Sequence, residues 1–199
     1  MAEYYLQTPI SENDVRKLRA GDIVYISGII ITARDSAHKR ALDLAKSGRK
    51  NEIPVNFEGL AVYHCGPVVK KINDEWKVVV AGPTTSARME KVEPEFIKEF
   101  GARAVIGKGG MGPRTTQAMK EFGAFYGAFT GGAAVLAANA IKKVREVHWL
   151  DLGVAEALWV LEVENFGPLV VAIDSHGNNL YQNVMTKAEE KYREILKTI

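Results

Sequence analysis

Cysteine is nearly missing: Cys65 is the only one in 199 residues. A lone thiol excludes an internal disulfide, so a reducing, cytoplasmic setting is expected. It also excludes an iron–sulfur cluster held by this chain alone, since such clusters take several thiolates. An excess of one charge is missing too. Lys and Arg number 26 against 24 Asp and Glu, a formal net charge of +2. That balance gives no case for nucleic acid or an anionic membrane surface, which call for clustered cations. The opening residues Met1-Ala2-Glu3-Tyr4-Tyr5 lack the basic and apolar regions of a signal peptide. No internal repeat, low-complexity tract or Pro/Gly/Ser linker divides the chain, and a single domain over 1–199 is expected.

Long apolar runs are also scarce. The one uncharged stretch of bilayer-spanning length, Phe122 to Ile141, contains Gly123, Gly127, Thr130, Gly131, Gly132 and Asn139. It divides at Thr130-Gly131-Gly132 into a buried strand and a following helix, so no membrane span is expected. What the chain does have is 47 % hydrophobic and 25 % charged residues. At this length that suits one globular unit able to bury roughly 70 % of its unfolded surface.

Residues 1–20 are polar and read as a peripheral arm with a short helix from Ser11. A strand over 22–32, with Gly28 as a bulge or close-approach point, leads to a helix that stops at Gly48. Thr32 and Asp35 match a capping box at its start. After a loop at 49–60, strands at 61–72 and 76–81 turn at Asn73-Asp74-Glu75 and pair antiparallel. A helix from Pro94 turns Phe96, Ile97 and Phe100 inward and is closed by Gly101. There follow a strand at 102–106, a helix over 113–122, a strand at 124–129, a helix at 131–142 and a strand near 144–150. Residues 157–163 and 168–174 read as an apolar pair turning at Asn165-Phe166-Gly167-Pro168, and a charged helix over 186–199 ends the chain. Alternating strands and helices with hairpins added imply a layered α/β fold with a mixed parallel and antiparallel sheet.

Three apolar runs end in a turn that carries a cation and opens a helix: Thr32-Ala33-Arg34-Asp35, Gly82-Pro83-Thr84-Thr85-Ser86-Ala87-Arg88, and Gly107-Lys108-Gly109-Gly110-Met111-Gly112. Ligands of open α/β sheets bind beyond the carboxyl ends of the strands, where helix N-termini attract anions. Arg34, Arg88 and Lys108 together suggest one pocket for a small polyanion. The last turn also fits the dinucleotide pattern G-x-G-x-x-G, but no acidic residue follows at the end of the next strand to hold a ribose. A dinucleotide-binding oxidoreductase is the rival reading, and a non-catalytic binding or assembly protein a third. Arg34 in the first turn of a helix opposes the dipole; it serves either an anion or a neighbouring carboxylate. His38, four residues on, shares its helical face. Thr84 alone is a poor base and needs cations or a metal-polarised substrate beside it. Cys65 reads as a buried inert thiol, Asp174-Ser175-His176-Gly177 as a turn, and no His/Asp/Glu spacing indicates a metal site.

Taken together, Thr32 to His38, Gly82 to Met89 and Gly107 to Met111 resemble the β subunit of class I iron–sulfur fumarate hydratases, and equally that of L(+)-tartrate dehydratase. The likeness runs from about residue 8 to about 185. It implies a swivelling β/β/α domain, and an active site shared with an α subunit that carries a [4Fe–4S] cluster on three cysteines. It further implies reversible hydration of a C4 dicarboxylate, with the cluster as Lewis acid on the substrate. Matched motif by motif, Arg34, Arg88 and Lys108, with Gly109, would neutralise the substrate carboxylates. Thr84 would exchange the carbon-bound proton, with Thr85 as the substitute. Asp35 and His38 would stand behind them as supports. No metal ligand falls on this chain.

Overall fold

The structure, a computed structural model, describes residues 1–132 and 134–197. Its spine is a seven-stranded mixed sheet: β1 (Glu3–Gln7), β2 (Ile23–Thr32), β3 (Ala61–Tyr63), β6 (Ala104–Gly107), β7 (Phe125–Ala128), β9 (Leu158–Ile173) and β8 (Ile141–His148), in that order across the sheet. The first five run parallel to their neighbours; β9 is antiparallel to β7 and β8. A further antiparallel pairing of β9 with β2 closes β2, β3, β6, β7 and β9 into a ring. β4 (Val68–Ile72) and β5 (Glu75–Val80) form a separate hairpin.

Side chains alternate across a strand with period two, and the short buried strands use that to fill two compartments. Ala61, Tyr63, Ala104, Ile106 and Phe125 point into a core shared with Ile26, Ile30, Trp159, Leu161 and Phe166. Val62, Val105 and Tyr126, one residue out of phase, face helices instead. Those helices are α2 (Asp35–Lys46), α3 (Glu93–Phe100) and α4 (Pro113–Phe122). α2 presents Ala37, Ala41 and Leu42, and α3 presents Phe96, Ile97 and Phe100, with Gly101 left-handed at φ 66 as its C-cap. The uncharged stretch divides into β7 and α5 (Ala134–Ala140); residue 133, inside the expected 131–142 helix, lies outside the described residues. Among the described residues no helix is long and apolar enough to cross a membrane.

Four expectations are corrected. Residues 1–20 are not a peripheral arm: β1 pairs with β2, and α1 (Glu12–Lys17), capped by Ser11, contributes Val15 beside fully buried Leu18. An edge strand exposes every other side chain, which is why the segment reads as polar. Residues 61–72 are two strands in different sheets. Pro67 cannot donate to a ladder, and Cys65 bridges to Pro83 instead.

Residues 157–174 are one sixteen-residue strand, not a hairpin. Phe166 is fully buried opposite Ile26, Asn165 N–H donates to Ser27 Oγ, and the register against β2 shifts between Ile26 and Gly28. The Asn-Phe-Gly-Pro turn chemistry is absorbed there as an irregularity within the strand. The last helix, α6, runs Leu180–Leu196 rather than from Thr186, because Asn179 Oδ1 accepts from the N–H groups of Tyr181 and Gln182. Residues 198–199 lie outside the described residues.

Candidate active site

The carboxyl ends of parallel β2, β3, β6 and β7 gather at one end of the sheet, and the three cation-bearing turns meet there. Backbone hydrogen bonds tie the second and third together, while at the first Ala33 N–H donates to Tyr63 C=O at 3.0 Å. Thr84 N–H donates to His64 C=O at 2.6 Å, and His64 N–H to Ile106 C=O at 2.8 Å. Ser86 N–H donates to Lys108 C=O at 2.8 Å, and Lys108 N–H to Thr84 C=O at 3.2 Å. This approach is close enough to require glycine at 107, since a Cβ there would collide with Ser86 Oγ.

Arg34 occupies the N-cap of α2, with no side-chain cap of its own. The expected capping box is absent. Thr32 is fully buried and turned to β9, where its hydroxyl donates to Ala157 C=O and accepts from Trp159 N–H. Glu156 caps the helix in its place: one carboxylate oxygen accepts from Ser36 N–H at 2.8 Å and the other lies 3.2 Å from Arg34 Nε. The Arg34 guanidinium reaches over Gly66, where a Cβ would lie 2.7 Å from Nη1. Arg88, on the 3₁₀ turn Ser86–Met89, pairs through Nη2 with Asp35, the residue after Arg34. Lys108 lies beside Thr85 through a β-bridge, with its side chain against Gly131. Among the described residues the Lys108 ammonium has no carboxylate within ion-pair distance, and the Thr84 and Thr85 hydroxyls have no hydrogen-bond partner. Thr84 is half-buried and Thr85 exposed. Arg34, Asp35, Thr84, Thr85, Arg88, Lys108 and Gly109 therefore lie on adjoining turns.

His38 sits beneath them, completely buried. Its Nδ1 lies 2.8 Å from Arg34 C=O and its Nε2 3.2 Å from Glu93 Oε2. The same carboxylate oxygen is 3.0 Å from His64 Nε2, and His64 Nδ1 is 2.9 Å from Ser86 Oγ. Burial opposes charge on all three groups. For Glu93 the two imidazoles override it and hold the carboxyl down at about 2. For His38 burial is outweighed by Glu93 and the Arg34 carbonyl, and its pKa rises. For His64 burial wins and the pKa falls.

His38, His64 and Glu93 bring three potential ligand atoms within 4.8 Å of one another, a cluster that the sequence spacing does not indicate. Residues 38, 64 and 93 come from three elements and leave no local pattern. His64 Nε2 hydrogen-bonds Glu93 Oε2, whereas His38 Nε2 meets the same oxygen only as an ion pair and, like Glu93 Oε1, has no hydrogen-bond partner among the described residues.

The glycine loop is spoken for. Glu90 places its carboxylate over the start of α4 and accepts from the N–H groups of Gly112, Arg114 and Thr115 and from the Thr115 hydroxyl. A dinucleotide phosphate would need that same helix N-terminus, so the geometry removes the ground for the oxidoreductase reading. Cys65 is fully buried against Tyr63, and burial pushes its thiol up to about 12. A cleft of about 620 Å³ lined by Lys50, Phe57 and Lys98 contains none of the residues expected at the site. Sequence reasoning missed Glu156, Glu90, Glu93, His64 and Ser86. Each acts on a residue more than twenty positions away, and only a capping-type Glu near a helix start gave any local signal.

Comparison with known proteins gives a consistent picture. The sequence model of the family described as Fumarase C-terminus matches residues 2–184. A Methanocaldococcus jannaschii protein provisionally named L(+)-tartrate dehydratase subunit beta is 48 % identical over 193 residues, covering 96 % of this chain and 98 % of that protein. The L(+)-tartrate dehydratase subunit beta of Escherichia coli K12 is 47 % identical over 175 residues, 88 % of this chain and 85 % of that protein. A Geobacillus stearothermophilus protein provisionally named class I fumarate hydratase is 46 % identical over 187 residues, 94 % of this chain but 35 % of that longer protein.

Proposed function

The chain belongs to the fumarase C-terminus family, and from that premise we propose that it works as the β subunit of a hydro-lyase acting on a C4 dicarboxylate. The observation that carries the reading is the convergence of Arg34, Arg88 and Lys108 on adjoining turns at the carboxyl ends of parallel strands. Three cations face two carboxylate partners, Glu156 and Asp35. Lys108 is left unmatched, and one substrate carboxylate would supply its anion while the other bears on the two guanidinium groups. Arg34 and Arg88 are suited to bidentate contact with carboxylate, and Lys108 to a point charge.

In the dehydration direction a proton leaves the carbon beside one carboxylate and a hydroxyl leaves the neighbouring carbon; hydration reverses both. Thr84, its own hydroxyl proton first released to solvent, receives the carbon-bound proton as an alkoxide stabilised by the neighbouring cations and returns it in the reverse direction. The cations around it stabilise the negative charge that develops on the adjacent carboxylate as that proton departs. Thr85, one residue on and more exposed, is the substitute. Asp35 orients Arg88, and Gly109 offers backbone at the rim of the loop.

The iron–sulfur cluster implied by the resemblance does not fit this chain's own donors, because its one thiol is protonated and turned into the core. The cluster is assigned to a partner α subunit, and the domain to the swivelling β/β/α type in a cytoplasmic enzyme. The relatives named for L(+)-tartrate dehydratase are matched over 98 % and 85 % of their own length, against 35 % for the one named for fumarate hydratase, which supports L(+)-tartrate as the alternative substrate.

The test is anaerobic reconstitution with the cognate α subunit. The chain alone is expected to be colourless and inactive, and the pair to hydrate fumarate or dehydrate L(+)-tartrate. A correctly assembled pair that turns over neither would leave a binding or assembly role.

A further inference from the structure

The buried groups under the site obey a stricter logic than packing. Arg34 C=O can only accept, so His38 Nδ1, 2.8 Å away, carries a proton. His38 Nε2 faces Glu93 Oε2 at 3.2 Å. That contact is an ion-pair approach without hydrogen-bond alignment, since His38 Nε2 and Glu93 Oε1 have no hydrogen-bond partner among the described residues; a carboxylate this deeply buried calls for a cation beside it, and His38 supplies it as the imidazolium.

Ser86 Oγ has one proton and two neighbours, Tyr126 Oη at 3.0 Å and His64 Nδ1 at 2.9 Å. If His64 Nδ1 held the proton, a neutral ring would present a bare Nε2 to Glu93 at 3.0 Å, lone pair against lone pair. The alternative gives each proton donated between Tyr126 and Glu93 an acceptor. Tyr126 O–H donates to Ser86, Ser86 O–H donates to His64 Nδ1, and His64 Nε2–H donates to Glu93. Burial pushes the Tyr126 phenol up, which keeps its proton in place, and the Gly110 backbone amide acts on the same hydroxyl. The groups facing the pair are Glu93 from α3, His64 after β3, and Asp35 on α2 itself.

We infer that Tyr126, Ser86, His64 and Glu93 form a buried chain of donated protons, closed by the Glu93–His38 ion pair, that locks the Arg34 turn to the Thr84–Arg88 turn and the glycine loop. They are positioning residues: none touches substrate, and each acts by fixing the turns that carry the substrate-binding cations. The role of the turns rests on the hydro-lyase reading; the proton chain itself does not.

Two measurements test it. In ¹⁵N-histidine spectra of the full chain at neutral pH, His38 should show both ring nitrogens protonated, and His64 a bare Nδ1 with a protonated Nε2. Assignment follows from His38→Gln and His64→Gln spectra. A proton on His64 Nδ1, or bare Nε2 atoms on both rings as a bound metal ion would require, overturns the chain.

In the reconstituted pair, Ser86→Ala should lower kcat/KM at least thirtyfold below its melting temperature, and Tyr126→Phe about tenfold. The double variant should be no worse than Ser86→Ala, because the chain is already cut. Near-normal Ser86→Ala activity, or losses that simply multiply, would show the contacts to be packing only. If the wild-type pair turns over nothing, the functional reading fails while the histidine spectra still decide the chain.

Discussion

Arg34 holds a cation where a helix N-terminus disfavours one, by about 0.3–1 kcal/mol, and Glu156 compensates by serving the guanidinium and the Ser36 amide together. Arg88 is half-exposed and bears on no core contact. Arg88→Ala is therefore expected to leave the unfolding midpoint unchanged and to lower the activity of the pair at least a hundredfold.

Glu93 gives the residue-scale pH dependence. Its carboxyl, raised by burial but pulled to about 2 by the two imidazoles, lies below its ordinary value of 4.5. The stability it contributes is full above pH 4.5 and is lost as pH falls from 4.5 toward 2. The amount is on the order of 3 kcal/mol. His38 has the opposite sign: its raised pKa contributes fully below 6.5, and that contribution is lost as pH rises through its folded value. Urea unfolding between pH 5 and 2.5 should show a shallower acid loss for Glu93→Gln than for wild type; equal slopes would contradict the pairing. The three cations were legible from sequence because each follows an apolar run into a helix start. Glu93 and His64 were not, since a buried charge pairing depends on which elements pack together.

At the scale of elements, strand ends set where the turns begin, and hydrogen bonds between the turns hold them there. Gly107 shows it best. Its buried strand position lets Ser86 sit against the backbone, and Gly107→Ala would push the Thr84–Arg88 turn away. The expected cost is about 1–3 kcal/mol in stability, with at least a tenfold drop in turnover, both read on one preparation. α6 behaves differently. No residue from Leu180 to Leu196 is buried, while Asn179 before it is, donating to Met111 C=O and Thr116 Oγ1. Ending the chain after Met185 should shift the thermal midpoint by only a few degrees, whereas Asn179→Ala should loosen the glycine loop and lower it more. Helices α3 and α4 and the closing Gly101 could be read from periodicity and cap residues. β9 could not, because Asn165 to Pro168 spells a turn unless the partner strand is known to run past it.

For the molecule as a whole, parallel strands bring every turn of the site to one end of the sheet, where its cations stand without enough carboxylates to match them. An incomplete site of this kind calls for both a dianionic ligand and a second protein surface. The sequence anticipated the mixed α/β sheet, but not the ring closed by β2 and β9, which depends on pairing between residues about 130 apart. The central claim is that Arg34, Arg88 and Lys108 grip one dicarboxylate. It is tested most directly by the equilibrium affinity of the reconstituted pair for its dicarboxylate, measured for wild type and for Arg34→Ala, Arg88→Ala and Lys108→Ala. Loss of a charge-assisted hydrogen bond, about 1.5–3 kcal/mol, predicts that each variant binds roughly ten- to a hundredfold more weakly, with folding intact. Affinity unchanged in all three would contradict the account.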